Sequence, residues 1–278
     1  MNKLERVDNT GFGGYRLIQG SGFRYGVDAV LLAAFANGET GAAGIAGGTK
    51  DGTARCRRAG SGVRERSAVA KGRVNVADLG CGSGIVPLIL AHKCPESFIT
   101  GFELQEEEAD RALRTVKLNG LQDRIRIIRG DVAEIPSGSM IRGGEMDAVV
   151  TNPPYFRSGS AIPNREDGKY FARHETSADV RAFLRAAAWL LKPRGNFYMV
   201  HRPARLADII VSMRNAGIEP KTLQYVVPKP GMAANLILVH GIRGAGAELR
   251  MLPEIAVRDP DGNSSEVLKR LYERNRES

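Results

Sequence analysis

The stretch Thr151-Asn152-Pro153-Pro154-Tyr155-Phe156 closes an apolar run, Met146-Asp147-Ala148-Val149-Val150. An apolar run ending on two prolines reads as a buried strand that stops abruptly, because proline cannot donate to a ladder and does not continue into a helix. The stop leaves an amide and an aromatic ring at a strand tip. The Asn152 side-chain oxygen and the Pro153 carbonyl can both accept from a planar amino group, localising its lone pair as the nitrogen becomes tetrahedral and positive. Tyr155 can stack on the plane of the target. The chemistry that uses such a set is methylation of an amino nitrogen conjugated to a ring or a carbonyl. Asn-Pro-Pro also serves as a plain rigid turn, so the motif needs support from elsewhere in the chain.

That support lies upstream. Gly80-Cys81-Gly82-Ser83-Gly84 sits between a short apolar strand at 74–79 and an aliphatic helix at 85–92. Glycines let a backbone come up against a ligand, and a helix start presents N–H groups toward it. The loop lacks the third glycine of the dinucleotide fingerprint, since residue 85 is Ile85. Glu103 ends the next strand, placed to accept from a ribose diol, and Asp131 ends the one after, placed to accept from an adenine amino group. Each has a plainer reading: a solvated strand-end carboxylate for Glu103, a turn cap for Asp131. Asp78 orients the glycine loop or sits near the positive end of a cofactor, with equal claim. The loop, Glu103, Asp131 and Asn152 fall on four successive strand ends, and open α/β sheets bind ligands at that carboxyl edge.

The elements that must position these residues alternate. Strands are expected at 74–79, 98–102, 124–128 and 146–150, with helices at 85–92 and 106–119 between them, which is the pattern of a parallel sheet covered on both faces. A helix at 178–191, a strand at 196–200 and a helix at 203–216 follow. Strands at 223–227 and 235–240, joined by Pro228-Lys229-Pro230-Gly231, are too close for a crossover and pair antiparallel. The expected fold is α/β and Rossmann-like, a seven-stranded, mostly parallel sheet with a C-terminal antiparallel hairpin.

Four divisions follow: 1–36, a strand at 15–19 and a lid helix capped by Asp28 and apolar nearly all round; 37–73, an insertion; 74–245, the catalytic domain; and 246–278, a tail. The insertion holds nine Gly, seven Ala, eight Lys or Arg, three acids and no aromatic residue. It cannot bury enough apolar surface to offset ordering entropy and is expected to be disordered. The turn residues Phe23 and Tyr25 are candidates for ligand contact.

At 278 residues and 42% hydrophobic, the chain can bury a full core. A net charge of +9 favours a polyanionic partner such as nucleic acid. Three cysteines without paired spacing and four unclustered histidines give no disulfide framework and no metal site. The polar start and the lack of an apolar run near ~20 residues predict no membrane span and a cytoplasmic setting. Oligomeric state is not legible.

Asp78-Leu79-Gly80-Cys81-Gly82-Ser83-Gly84 with Asn152-Pro153-Pro154-Tyr155 resembles the class I S-adenosylmethionine-dependent amino methyltransferases. Phe23-Arg24-Tyr25-Gly26-Val27-Asp28-Ala29-Val30-Leu31-Leu32-Ala33, Ala172-Arg173-His174-Glu175, His201-Arg202-Pro203 and Pro228-Lys229-Pro230-Gly231 resemble, more closely, the bacterial tRNA adenine-N6 methyltransferases that modify adenosine 37 of a valine tRNA. The resemblance implies S-adenosylmethionine over Gly80, Gly82 and Gly84, with Glu103 on its ribose, Asp131 on its adenine and Asn152 at the boundary with the target. It also implies Asn152, Pro153 and Tyr155 as the catalytic set and tRNA as partner. Pro154 and Phe156 extend the substrate surface, and Arg173, His174 and Arg202 are candidates for phosphate contact. Rival expectations are methylation of a protein glutamine amide or of guanine N2 in ribosomal RNA, and, outside catalysis, an RNA-binding protein that keeps the fold.

Overall fold

The computed structural model describes residues 5–20, 25–45, 73–154 and 180–272. The chain opens with β1 (Glu5–Asn9) and β2 (Arg16–Gly20), an antiparallel ribbon. Then come α1 (Val27–Ala36), β3 (Val74–Leu79), α2 (Ile85–Lys93), β4 (Ser97–Glu103), α3 (Glu106–Leu118), β5 (Ile125–Arg129) and β6 (Met146–Thr151). The second half runs α4 (Val180–Leu190), β7 (Leu191–His201), α5 (Leu206–Asn215), β8 (Ile218–Val227), β9 (Leu236–Arg243), β10 (Arg250–Ala256) and α6 (Glu266–Leu271).

Eight strands form one sheet in the order β10-β8-β9-β7-β6-β3-β4-β5. Strands β3 to β7 run parallel to one another, and β9 is antiparallel to both β7 and β8. The mostly parallel α/β layout and the terminal hairpin are those expected. The strand count exceeds the seven expected: β10 adds to the β8 edge in parallel, from a polar tail whose sequence shows only an extended apolar piece near 252–257. β1 carries no strand signal of its own, because Glu5-Arg6-Val7-Asp8-Asn9 has almost no apolar content.

The sheet separates two cores, and strand alternation assigns residues to each. Val76, Val150, Tyr198 and Leu238 face one side with α1 and α2. Ala77, Val149, Phe197 and Val239 face the other with α4 and α5. Every residue of α1 from Ala29 to Ala36 is buried, so this helix is a core element. Burying Val30, Leu31, Leu32 and Phe35 contributes about 1.5–3 kcal/mol each before entropy is counted.

The described end of the expected disordered insertion is packed: Ala42 and Ile45 are buried, and the Tyr198 hydroxyl donates to the Ala43 carbonyl at 2.6 Å. That corrects the expectation for 37–45; residues 46–72 lie outside the described part. The N-terminal ribbon is fastened to α3. Thr115 Oγ1 accepts from the Ile18 N–H at 3.1 Å, and the Asn119 amide bonds both the N–H and the carbonyl of Arg16, at 2.8 and 2.7 Å. Glu5 meets Arg111 and Arg114 at 3.3 and 2.7 Å.

Candidate active site

The site lies where β3, β4 and β6 end together. The last register pair joins Leu79 to Thr151, and the Thr151 hydroxyl donates to the Leu79 carbonyl at 2.8 Å. The next residues on the two strands are Gly80 and Asn152, so the glycine loop and the Asn-Pro-Pro turn begin side by side.

The loop turns through positive φ at Gly80, Gly82 and Gly84, of 76°, 53° and 94°, a region that costs side-chain-bearing residues. The N–H groups of Gly80 and Cys81 both donate to the Phe102 carbonyl, at 2.9 and 3.0 Å. The Gly82 N–H donates to Glu103 Oε2 at 2.8 Å, and the Gln105 N–H to Oε1 at 2.8 Å. Glu103 is therefore a fixed carboxylate at the loop, buried to 7% exposure. Burial pushes its pKa up while these two N–H groups pull it down.

Asp78 is 1% exposed, and its Oδ2 has no hydrogen-bond partner. Burial first, and the neighbouring Glu103 second, push its pKa up to about 8. An orphaned buried carboxylate oxygen under a glycine loop is what a cationic group would satisfy. A Cβ at Gly82 would meet nothing within 4 Å, and one at Gly80 only the Phe183 ring, so the loop is open to a close ligand. These residues fit S-adenosylmethionine. Cys81, whose thiol is pushed far up by burial, stays protonated and serves packing.

Asp131 caps a 3-10 turn (Val132–Ser137), its Oδ1 accepting from the Ala133 N–H at 2.8 Å. One carboxylate oxygen thus has the plainer role. Pro153 is buried and Pro154 exposed at the end of β6. Tyr25 is half-buried against the core, and its hydroxyl donates to the Thr10 carbonyl at 3.1 Å, a structural anchor. Arg202 is exposed at the end of β7, and its guanidinium donates to the Asn235 carbonyl at 3.2 Å. Beside it His201 Nδ1 accepts from the Arg202 N–H at 2.8 Å, and burial holds its pKa below the usual value. Phe23, Tyr155, Phe156, Arg173 and His174 lie outside the described residues.

The sequence predicts Asp28 as the cap of α1. The cap position of α1 is Gly26, and Asp28 lies inside the first turn. Its Oδ1 accepts from the Ala29 N–H at 3.0 Å, while Oδ2 accepts from Asn152 Nδ2 at 3.0 Å. Asp28 is the site residue that sequence reasoning missed. The available signal was an acid in the first turn of a helix with no polar face.

Among the described residues no group of His, Cys, Asp and Glu is arranged to hold a metal ion. No helix there is long and apolar enough to cross a membrane.

A parallel sheet with a glycine loop, an anchored Glu103 and an Asn-Pro-Pro turn on adjoining strand ends defines the class: a Rossmann-like fold of the S-adenosylmethionine-dependent methyltransferases. The chain belongs to the methyltransferase small domain family, whose model matches residues 66–214. It is 31% identical over 160 residues to a tRNA1(Val) (adenine(37)-N6)-methyltransferase of Porphyromonas gingivalis, covering 55% of this chain and 61% of that protein. The matched part thus spans less than two thirds of that relative. It is 30% identical over 173 residues to a protein of the same description from Tolumonas auensis, covering 61% of this chain and 68% of the relative. The crystal structure of a predicted O-methyltransferase from Agrobacterium tumefaciens shares the fold, with a TM-score of 0.59, 20% identity, and coverage of 72% of this chain and 89% of that one.

Proposed function

We propose that this protein transfers a methyl group to N6 of adenine in RNA, at adenosine 37 of a tRNA, in the cytoplasm. The observation that carries the reading is the Asn152 amide beside the glycine loop: its nitrogen donates to Asp28 Oδ2 at 3.0 Å, which directs the acceptor end of the amide away from that carboxylate. Similarity to relatives described as tRNA adenine-N6 methyltransferases supports the choice of adenine.

S-adenosylmethionine supplies an electrophilic methyl group on a positively charged sulfur. Gly80, Gly82 and Gly84 form the floor beneath it, Glu103 takes the ribose hydroxyls through lone pairs its backbone contacts leave over, and Asp131 takes the adenine amino group. Asp78 answers the cofactor's positive charge. Asn152 Oδ1 and the Pro153 carbonyl would accept from the target N6 hydrogens and stabilise the positive charge that grows on nitrogen as its bond to the methyl carbon forms and the sulfonium S–C bond breaks, with S-adenosylhomocysteine leaving and one N6 proton passing to water. Tyr155 stacks on the adenine, with Pro154 and Phe156 extending the substrate surface. Arg202, Arg173 and His174 contact phosphate. An anticodon-loop base is already accessible, which lowers the cost of drawing it out of its stack.

The test is transfer from labelled S-adenosylmethionine to tRNA lacking modifications, followed by nucleoside digestion and mass spectrometry. N6-methyladenosine is expected, mapping to one anticodon-loop position, and absent with Asn152→Ala. Label appearing on added protein and on no nucleoside would overturn the RNA reading in favour of glutamine amide methylation.

A further inference from the structure

We propose that Asp28 is a positioning residue for methyl transfer, acting through the Asn152 amide; the inference rests on the reading of the site given above. An asparagine side chain offers an acceptor at one tip and a donor at the other, and the two are nearly the same shape. An acceptor is useful toward an incoming amino group; a donor opposes it. Nothing within Asn152 chooses between these orientations. Asp28, 124 residues earlier, does so: an ionised carboxylate only accepts, and Oδ2 takes the Asn152 Nδ2 hydrogen at 3.0 Å. Oδ1 is then turned away from Asp28.

Three features hold the carboxylate in place. Its other oxygen accepts from the Ala29 N–H at 3.0 Å. It sits in the first turn of α1, where negative charge is favourable and the helix behind it is wholly buried. Gly26 gives it room, since a Cβ there would lie 2.3 Å from Asp28 Oδ1. A negative charge on the nitrogen side of the amide also draws electron density toward Oδ1, the atom facing the nitrogen that becomes positive. The N-terminal helix thereby contributes to the site from outside the glycine-loop half of the fold.

The decisive experiment is a reciprocal swap measured as single-turnover and steady-state transfer to tRNA, with unfolding midpoints and S-adenosylmethionine affinity recorded for each variant. Asp28→Ala should lower kcat by about 10- to 100-fold while both KM values stay within about 3-fold, the pattern of an interaction made in the transition state. Asn152→Asp alone sets two carboxylates against each other and should lose at least ~100-fold. Asp28→Asn combined with Asn152→Asp restores one donor and one carboxylate to the pair. It should recover at least ~10-fold over Asn152→Asp, and Asp28→Asn alone completes the cycle. A kcat for Asp28→Ala within about 2-fold of the parent, or a folded double variant no better than Asn152→Asp, would sink the proposal. Should Asp28→Ala not fold, the swap decides. An unaltered protein that methylates no RNA refutes the site reading itself, an outcome visible before any variant is compared.

Discussion

Asp78, the penultimate residue of β3, and Glu103, the last of the neighbouring β4, both have their carboxylates withdrawn from solvent, yet only Glu103 is held by backbone N–H groups, those of Gly82 and Gln105 at 2.8 Å. Asp78 has an orphaned oxygen. Two buried carboxylates in contact with one field do not both ionise freely. Asp78 keeps its proton at neutral pH, its pKa pushed up to about 8 by burial first and by Glu103 second; burial also raises Glu103, against the pull of its backbone N–H partners.

Binding of S-adenosylmethionine should therefore release a proton at neutral pH, because a cation beside Asp78 favours its ionised form. Calorimetric titration in buffers of different ionisation enthalpy at pH 7 reads this directly. Release approaching one proton per site is expected, and none with Asp78→Asn. A group whose folded pKa is raised, here from 3.8 to about 8, contributes stability that is full below the lower value and is lost as pH rises through the higher. The ligand-free protein should lose stability from about pH 4 to 8, and Asp78→Asn should flatten that slope while weakening cofactor affinity.

Glu103→Gln replaces one acceptor oxygen by a donor, leaving either the Gly82 or the Gln105 N–H facing an NH2. The expected loss is about 1–3 kcal/mol of loop anchoring, seen as roughly 10- to 100-fold weaker S-adenosylmethionine binding by fluorescence or calorimetry. Removing that charge should also lower the pH at which Asp78 releases its proton.

Gly101→Ala tests how closely the floor of the loop is packed. A Cβ there would stand 2.8 Å from Cys81 Sγ and 3.0 Å from Ile127 Cδ1. Cys81 is buried and Ile127 half-buried, so overpacking should cost about 1–3 kcal/mol in denaturant unfolding. Adding Cys81→Ala should return part of it; no recovery would mean that Ile127 carries the clash.

His240 predicts the acid limb. It stacks on Tyr198, its Nε2 donates to Asn196 Oδ1 at 3.0 Å, and its Nδ1 is buried without a partner. Burial, with Lys221 and Arg250 nearby, lowers its pKa from 6.5 to about 4. A lowered folded pKa contributes stability that is present above the unfolded value and lost as pH falls through the folded one. Between about pH 6.5 and 4 the protein should lose on the order of 3 kcal/mol from this residue. Unfolding curves of His240→Gln across that range should lack this component.

The alternation of strands and helices, the glycine loop and the Asn-Pro-Pro stop were legible because each is a local pattern: apolar period, positive φ, missing N–H. Glu103 and Asp131 were legible as strand-end acids, though spacing alone left their roles open. β1 was not, and β10 was legible only as an extended apolar piece near 252–257, since a polar or weakly patterned segment becomes a strand only when a partner edge is present to bond it. Residues 37–45 read as loose for the same reason: Ala42 and Ile45 are too few to predict a core but enough to join one that α1 and β7 have already built.

What the sequence determined by itself is the order of the elements and the chemical inventory at the carboxyl edge of the sheet, because propensity, turn chemistry and hydrophobic period act over a few residues. The tertiary structure alone decided which of those groups meet. Asp28 and Asn152 are joined across 124 residues by the burial of α1, and Asp78 lost its partner, and so gained its proton, only through being enclosed. Desolvation and long-range pairing depend on what surrounds a residue, and neither leaves a mark on the residues beside it in the chain.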